Sequence, residues 1–324
     1  AVELDPDYAF GVASRGQTYR AMERFEDALA DLNRAIELDP DNAWILGGRG
    51  ETYRLMERFE DALADFNRAV ELDPDYAFGV ASRGQTYRAM ERFEDALADF
   101  TRAIDLSPNP VWNLAQRGQT YRAMERFEDA LADFTRATEF DPDNAWAFTE
   151  RGQTYRAMER FEDALADFTR AVELDPDYAY AVASRGQTYR AMERYEDALA
   201  DFTRATELDP DAWLLYEAAA VLRLSGRSDE LERLVQTAES LFTSASADGT
   251  RDVHQLGNLL IFYCVLPDSE KSGRALDHFL DCRPSAARIR EALDDLIDLP
   301  QAVKDSGLCC TVRGRLENAL ADCW

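Results

Sequence analysis

The sequence predicts an all-α solenoid, a stack of repeated helix pairs, and three observations lead there. The segment RGQTYRAMERFEDALADF, starting at Arg83, recurs unchanged at Arg117 and Arg151, and again from Arg185 with only Tyr195 altered, at a spacing of 34 residues each time. Self-similarity at a fixed period of this length marks identical supersecondary units stacked side by side. Within each period the small and apolar residues fall at helical intervals in two separate runs, and each period closes on a proline. One repeating surface of this kind suits binding better than catalysis.

The first full period, Ala9 to Asn42, carries the pattern for all of them. Val12, Gly16, Tyr19 and Met22 lie on one helix, and Phe25, Ala28, Leu32, Ala35 and Ile36 on a second, with the break at Glu23-Arg24. The second helix must end at Asp39-Pro40, because proline disfavours helix in the residue before it and has no N–H to continue the ladder. Asp41 or Asn42 can then cap the next helix. A glycine inside a helix (Gly16, Gly50, Gly84, Gly118, Gly152, Gly186) costs about 1 kcal/mol relative to alanine. Close approach of a neighbouring helix is the expected compensation, with Ala28, Ala35 and their copies as the matching small surface. The methionines Met22, Met56, Met90, Met124, Met158 and Met192 close the first helix of each repeat and are expected in the core.

These residues resemble the tetratricopeptide repeat family: G-x2-Y at Gly16 and Tyr19, A-x3-F at Ala62 and Phe66, and closing prolines at Pro40, Pro74, Pro108, Pro142, Pro176 and Pro210. The resemblance implies a right-handed superhelix. It covers six units, 9–42, 43–76, 77–110, 111–144, 145–178 and 179–211, with a degenerate seventh at 212–242 and a divergent helical capping module at 243–324. The opening AVELDPDYAF duplicates Ala69 to Phe78, so residues 1–8 read as the end of an earlier repeat, and more repeats or other domains are expected upstream. One departure from the family pattern stands out. Where leucine precedes the glycine in the family, this chain has Arg15, Arg49, Arg83, Arg117, Arg151 and Arg185. Each has an aspartate sixteen residues on, Asp31, Asp65, Asp99, Asp133, Asp167 and Asp201. A half-buried arginine needs a carboxylate, so these are expected to pair between helices; the alternative is that they face a ligand.

Composition changes near Asp211. All five cysteines, both histidines and both lysines lie beyond it. Helices are expected at Trp213–Leu224, Asp229–Phe242, Asp252–Val265, Ser269–Asp281, Ser285–Ile297 and near Arg313–Asp322, forming the cap that a solenoid end requires. His278 and Cys282 stand four apart, and Cys309-Cys310 or His254 could complete a zinc site, but without a C-x2-C pair packing is the preferred reading. No metal, cofactor or catalytic residue is expected. There is no glycine-rich phosphate loop, G-x-S-x-G or H-E-x-x-H, and the chain reads as a non-enzyme.

The net charge is −27, and in Ala1 to Asp211 24 arginines face 45 acids. That balance argues against nucleic acid and anionic membrane as partners, including base reading by the repeats. Cysteine first appears at Cys264, which fits a reducing, cytoplasmic setting.

The resemblance places the ligand on a stripe of each repeat's first helix, in the concave groove. Here that stripe holds the aromatics Phe10, Trp44, Phe78, Trp112, Trp146 and Tyr180. It also holds Gln17, Gln85, Gln119, Gln153 and Gln187, with Glu51 as the exception, and a ladder of Arg20, Arg54, Arg88, Arg122, Arg156 and Arg190. Small residues Ala13, Gly47, Ala81, Ala115 and Ala183 leave room between them. Guanidinium forks, amides and rings together suit an extended peptide, acidic or C-terminal. Exposed ladder arginines would meet that ligand; the alternative pairs them with Glu23, Glu57, Glu91, Glu125, Glu159 and Glu193 three residues on. Gly47-Gly48, Glu51 and Leu55 in repeat two, Gln116 and Glu150 either set the register of a bound segment or reflect neutral drift. The function this implies is a protein-binding scaffold or sensor arm of a larger multidomain protein, the alternative being a spacer with an empty groove.

Overall fold

The computed structural model describes residues 8–209, 212–243, 263, 274–277, 279–280, 289, 292–293 and 307–321. The chain divides into two compact units, Ala1–Arg160 and Phe161–Trp324. The first contains α1 (Ala9–Ala21), α2 (Phe25–Leu38), α3 (Ala43–Leu55), α4 (Phe59–Leu72), α5 (Ala77–Ala89), α6 (Phe93–Leu106), α7 (Val111–Ala123), α8 (Phe127–Phe140) and α9 (Ala145–Ala157). The second contains α10 (Phe161–Leu174), α11 (Ala179–Ala191), α12 (Tyr195–Leu208), α13 (Ala212–Leu224), α14 (Ser228–Thr243) and α15 (Gly307–Ala321), numbered among the described residues. Where both helices of a repeat lie in one unit, the first packs on the second, and in the first unit each first helix also packs on the first helix of the following repeat.

The turn inside each repeat is a Schellman closure. Arg24 N–H donates to the Tyr19 carbonyl at 2.9 Å and Glu23 N–H to the Arg20 carbonyl at 2.9 Å, the 6→1 and 5→2 bonds of that motif. Its left-handed position is filled by glutamate in every repeat, Glu23, Glu57, Glu91, Glu125, Glu159 and Glu193, at φ between 57° and 59°. A side chain there costs about 1–2 kcal/mol per residue. These glutamates are exposed. Glu91→Gly should therefore stabilise the array by roughly 0.5–1 kcal/mol, the relieved strain less the extra entropy of an unfolded glycine. Urea unfolding of the variant checks this, and a loss of stability would refute it. After the turn Arg24 stacks on Tyr19 at 4.5 Å and pairs with Asp27 at 2.6 Å, an arrangement repeated at Arg58, Arg92, Arg126 and Arg194. Asn42 caps α3 by accepting from the Trp44 and Ile45 N–H groups, and Asn144 caps α9 from Ala147.

The core of the second, third, fourth and sixth repeats is a glycine against a ring. A Cβ on Gly118 would lie 2.9 Å from Phe134, on Gly50 2.9 Å from Phe66 and on Gly186 3.0 Å from Phe202. Phe66, Phe100, Phe134, Phe168 and Phe202 are all 0% exposed. The glycines thus make room for phenylalanine rather than for the alanines, although Ala28, Ala35 and their copies are fully buried as expected. Gly16 faces Leu32 instead. The methionines are not core: Met22 is 63% exposed, and the other five are half-buried at the helix ends.

Of the six arginine–aspartate pairs, five have both members in one unit, and all five form two-pronged contacts of 2.6 to 2.8 Å: Arg15–Asp31, Arg49–Asp65, Arg83–Asp99, Arg117–Asp133 and Arg185–Asp201. The guanidinium also reaches the preceding repeat, donating to Asn33 from Arg49, to Asn67 from Arg83 and to Thr101 from Arg117. The aspartate hydrogen bonds raise the pKa of Arg49, Arg83, Arg117 and Arg185. Arginine in place of leucine thereby ties three helices together.

In the second unit, Tyr263, Leu276, Phe279, Ile289, Val312 and Leu316 share one buried cluster with Leu215, Ala219 and Val235 of α13 and α14. α15 begins earlier than the helix expected near Arg313. His254, Cys264, His278, Cys282 and Cys323 lie outside the described residues, as does the side chain of Cys309; Cys310 is exposed.

Candidate functional site

The ladder arginines are half-buried rather than exposed, and most reach across to the next repeat. Arg20 donates to the Gly48 carbonyl at 3.2 Å. Arg88 donates to Gln119 Oε1 at 2.8 Å and to the Gln116 carbonyl at 3.5 Å. Arg122 pairs with Glu150 at 2.8 Å, and Arg190 with Glu217 at 3.1 Å. Arg54 grips Glu51 in a two-pronged pair, and Arg156 donates to Gln153. Among the described residues no ion pair joins Arg20, Arg54, Arg88, Arg122 or Arg190 to its turn glutamate, which sits at the left-handed position past the end of the helix.

These bonds explain the variation among repeats. Glu51 and Glu150 are counter-ions for Arg54 and Arg122, and Gln116 and Gln119 satisfy Arg88. Gln85 donates to Gln116 at 3.5 Å and Gln187 to Glu217 at 3.5 Å, while Gln17 approaches Gly48. Arg88 is distinctive. Burial lowers its pKa, the nearby Glu150 charge opposes this, Arg54 and Arg122 add to the lowering, and among the described residues its hydrogen bonds go only to an amide and a carbonyl.

The aromatic column divides. Phe10 stacks on Trp44 at 5.0 Å and 21°. Trp44 and Trp146 are partly buried against core clusters, whereas Phe10, Phe78, Trp112 and Tyr180 are 44% to 53% exposed. Ala13, Ala81, Ala115 and Ala183 are buried, so the small residues leave little open space. Gly47 has a packing role: a Cβ there would lie 2.8 Å from Tyr76, whose ring also lies 2.5 Å from a Cβ on Gly79. Tyr76 therefore fills the junction between repeats two and three, and burial pushes its phenol up to about 12.

The junction between repeats three and four has a cavity instead. Its volume is about 490 Å³, and its lining includes Glu51, Arg54, Phe78, Ala81, Trp112 and Asn113. Sequence reasoning missed Tyr76 and Asn113. The signal for Tyr76 lies in the column Tyr8, Asn42, Tyr76, Pro110, Asn144, Tyr178, the residue before each repeat's first helix, and that for Asn113 in the column Gly11, Ile45, Gly79, Asn113, Ala147, Ala181.

Among the described residues no group of three His, Cys, Asp or Glu side chains could hold a metal ion, and no helix is long and apolar enough to cross a membrane. Family profiles described as tetratricopeptide repeat match residues 11–75, 81–110, 145–178 and 179–212, and one described as TPR repeat matches 118–158. No curated protein matches the chain by sequence. Among solved structures, a tetratricopeptide repeat protein from Parabacteroides merdae is 17% identical, with TM-score 0.57, covering 72% of this chain and 92% of its own. PilW, a type IV pilus biogenesis factor, is 19% identical with TM-score 0.58, covering 62% and 94%. YrrB, a repeat protein with an unusual peptide-binding site, is 25% identical with TM-score 0.46, covering 60% and 97%. With its helix pairs, glycine-on-ring cores and profile matches along most of the repeat array, the chain belongs to the tetratricopeptide repeat family.

Proposed function

We propose that this chain is a non-enzymatic, cytoplasmic protein-interaction scaffold, the binding arm of a larger protein, which takes an extended acidic or C-terminal peptide segment along the first helices of its repeats. Family membership supports protein or peptide partners in general. The observation that carries the finer reading is Arg88. Its half-buried guanidinium lies in the field of Glu150, Arg54 and Arg122, while the Glu51 and Glu150 carboxylates are hydrogen-bonded by those two arginines rather than by Arg88. Among the described residues Arg88, like Arg20, has no carboxylate at hydrogen-bond distance, and a ligand carboxylate would supply one.

Arg88 is also the clean residue to test. Removing Arg122 would strand Glu150, which is 6% exposed, and mix a folding defect with a binding defect. Arg88→Ala should weaken binding of a fluorescein-labelled Glu-rich decapeptide with a free C-terminus by about tenfold, since hydrogen bonds to charged groups contribute roughly 1.5–3 kcal/mol. Anisotropy titrations at low and high salt would show the difference shrinking with ionic strength. Equal affinity of wild type and variant at both salts would favour a spacer whose face carries no ligand.

A further inference from the structure

We propose that the cavity between α5 and α7 receives a tyrosine side chain of the bound peptide, in the place that the chain's own tyrosine fills one repeat earlier. This rests on the peptide-binding reading above and adds a side-chain specificity to it. Three independent features point the same way.

The first is the repeat column. Tyr76 plugs the junction of repeats two and three, seated on Gly47 and Gly79. One period later the tyrosine is Pro110, and the residues aligned with Gly47 and Gly79 are Ala81 and Asn113, both of which line the cavity. The space therefore includes the place that a ring fills at the preceding junction, and Pro110 supplies no aromatic ring to it.

The second is the pair of rings at its sides. Phe10 and Trp44 stack on each other at the first junction. Their counterparts Phe78 and Trp112, 46% and 44% exposed, make no such contact with each other among the described residues and border the cavity instead. A ring entering there would gain the aromatic contacts that Phe10 and Trp44 give one another.

The third is Asn113. It is 7% exposed, its Nδ2 donates to the Ala103 carbonyl at 3.2 Å, and its buried Oδ1 has no hydrogen-bond partner among the described residues. The backbone contact fixes which end of the amide is the donor, so the unmet need is for a donor from outside. A phenol supplies one and a phenyl does not. Glu51 and Arg54 at the rim already neutralise each other, so the seat favours a neutral group over a carboxylate.

The probe is p-cresol, the tyrosine side chain alone, with toluene as its hydroxyl-free counterpart. The readout is the indole NMR resonance of Trp112, assigned with Trp112→Phe. The expected result is a saturable shift with p-cresol and affinity about threefold or more above toluene, the size of one modest hydrogen bond. Asn113→Ala should remove the preference. Rebuilding the preceding junction with Ala81→Gly, Pro110→Tyr and Asn113→Gly together should fill the seat and abolish the shift. Should that variant not fold, Phe78→Ala, at an exposed position, should weaken p-cresol binding about fivefold or more through lost ring contact. The proposal is overturned by no saturable shift at Trp112, by no preference over toluene, or by unchanged p-cresol binding in the folded filled variant or in Phe78→Ala. Retained p-cresol binding with no acidic-peptide binding would sink the peptide reading and leave the seat; the reverse would sink only the seat.

Discussion

Replacing Phe134 with alanine is expected to destabilise the first unit by about 3–5 kcal/mol, the range for truncating a buried aromatic. The ring is 0% exposed and packs with Ala115, Ala130, Tyr121 and Trp146. Its face lies against Gly118, which has no side chain to move into the space left behind. Cavity cost therefore adds fully to the lost transfer energy. Phe134→Leu gives the internal comparison, because Leu32 opposite Gly16 is how the first repeat solves the same problem, also at 0% exposure. That variant should lose only about 1–2 kcal/mol. Repeat arrays propagate stability through neighbours, so one unfolding midpoint can mask a local loss. Hydrogen exchange in α7 and α8 is the sharper measurement, and protection in Phe134→Ala within 1 kcal/mol of wild type would contradict this packing.

The helix pairs and the arginine–aspartate ties were legible because each depends on residues that recur with the period. Proline sets where a second helix stops, and a buried guanidinium demands its carboxylate, whatever lies elsewhere. The ring behind the glycines is less legible: Phe66 reads as a member of a motif, whereas a helical glycine's neighbour is a matter of three-dimensional approach. The methionines were misplaced because their helical spacing ignores that Met22 lies where the helix is already turning into the left-handed Glu23. At the candidate site the missed contacts run between repeats, 27 to 31 residues apart, as in Arg190 to Glu217 and Arg88 to Gln119. A pattern read along one helix finds partners three or four residues away and overlooks these. The cavity was hidden for a related reason, since it arises from what Pro110 lacks in comparison with Tyr76.

The arginine–aspartate tie supplies the second large effect. Arg117→Leu alone is expected to cost about 3–5 kcal/mol, because it leaves a buried carboxylate without its counter-charge. Asp133 is 3% exposed and receives both prongs of the guanidinium, at 2.6 and 2.7 Å. Neutralising the aspartate as well should recover most of that loss. Arg117→Leu with Asp133→Leu should come within about 1–2 kcal/mol of wild type, since an apolar pair of similar volume avoids the desolvation that the ion pair must overcome. The Thr101 hydroxyl, which accepts from Arg117 at 2.9 Å, sits in an exposed residue where water can replace the guanidinium, so it adds little to the deficit. A double-mutant cycle on urea unfolding should then return a coupling energy of about 2 kcal/mol or more, well above the additivity error for independent sites. Near-zero coupling would mean that these arginines do not owe their place to the aspartates, and would return them to the set of groups available to a ligand.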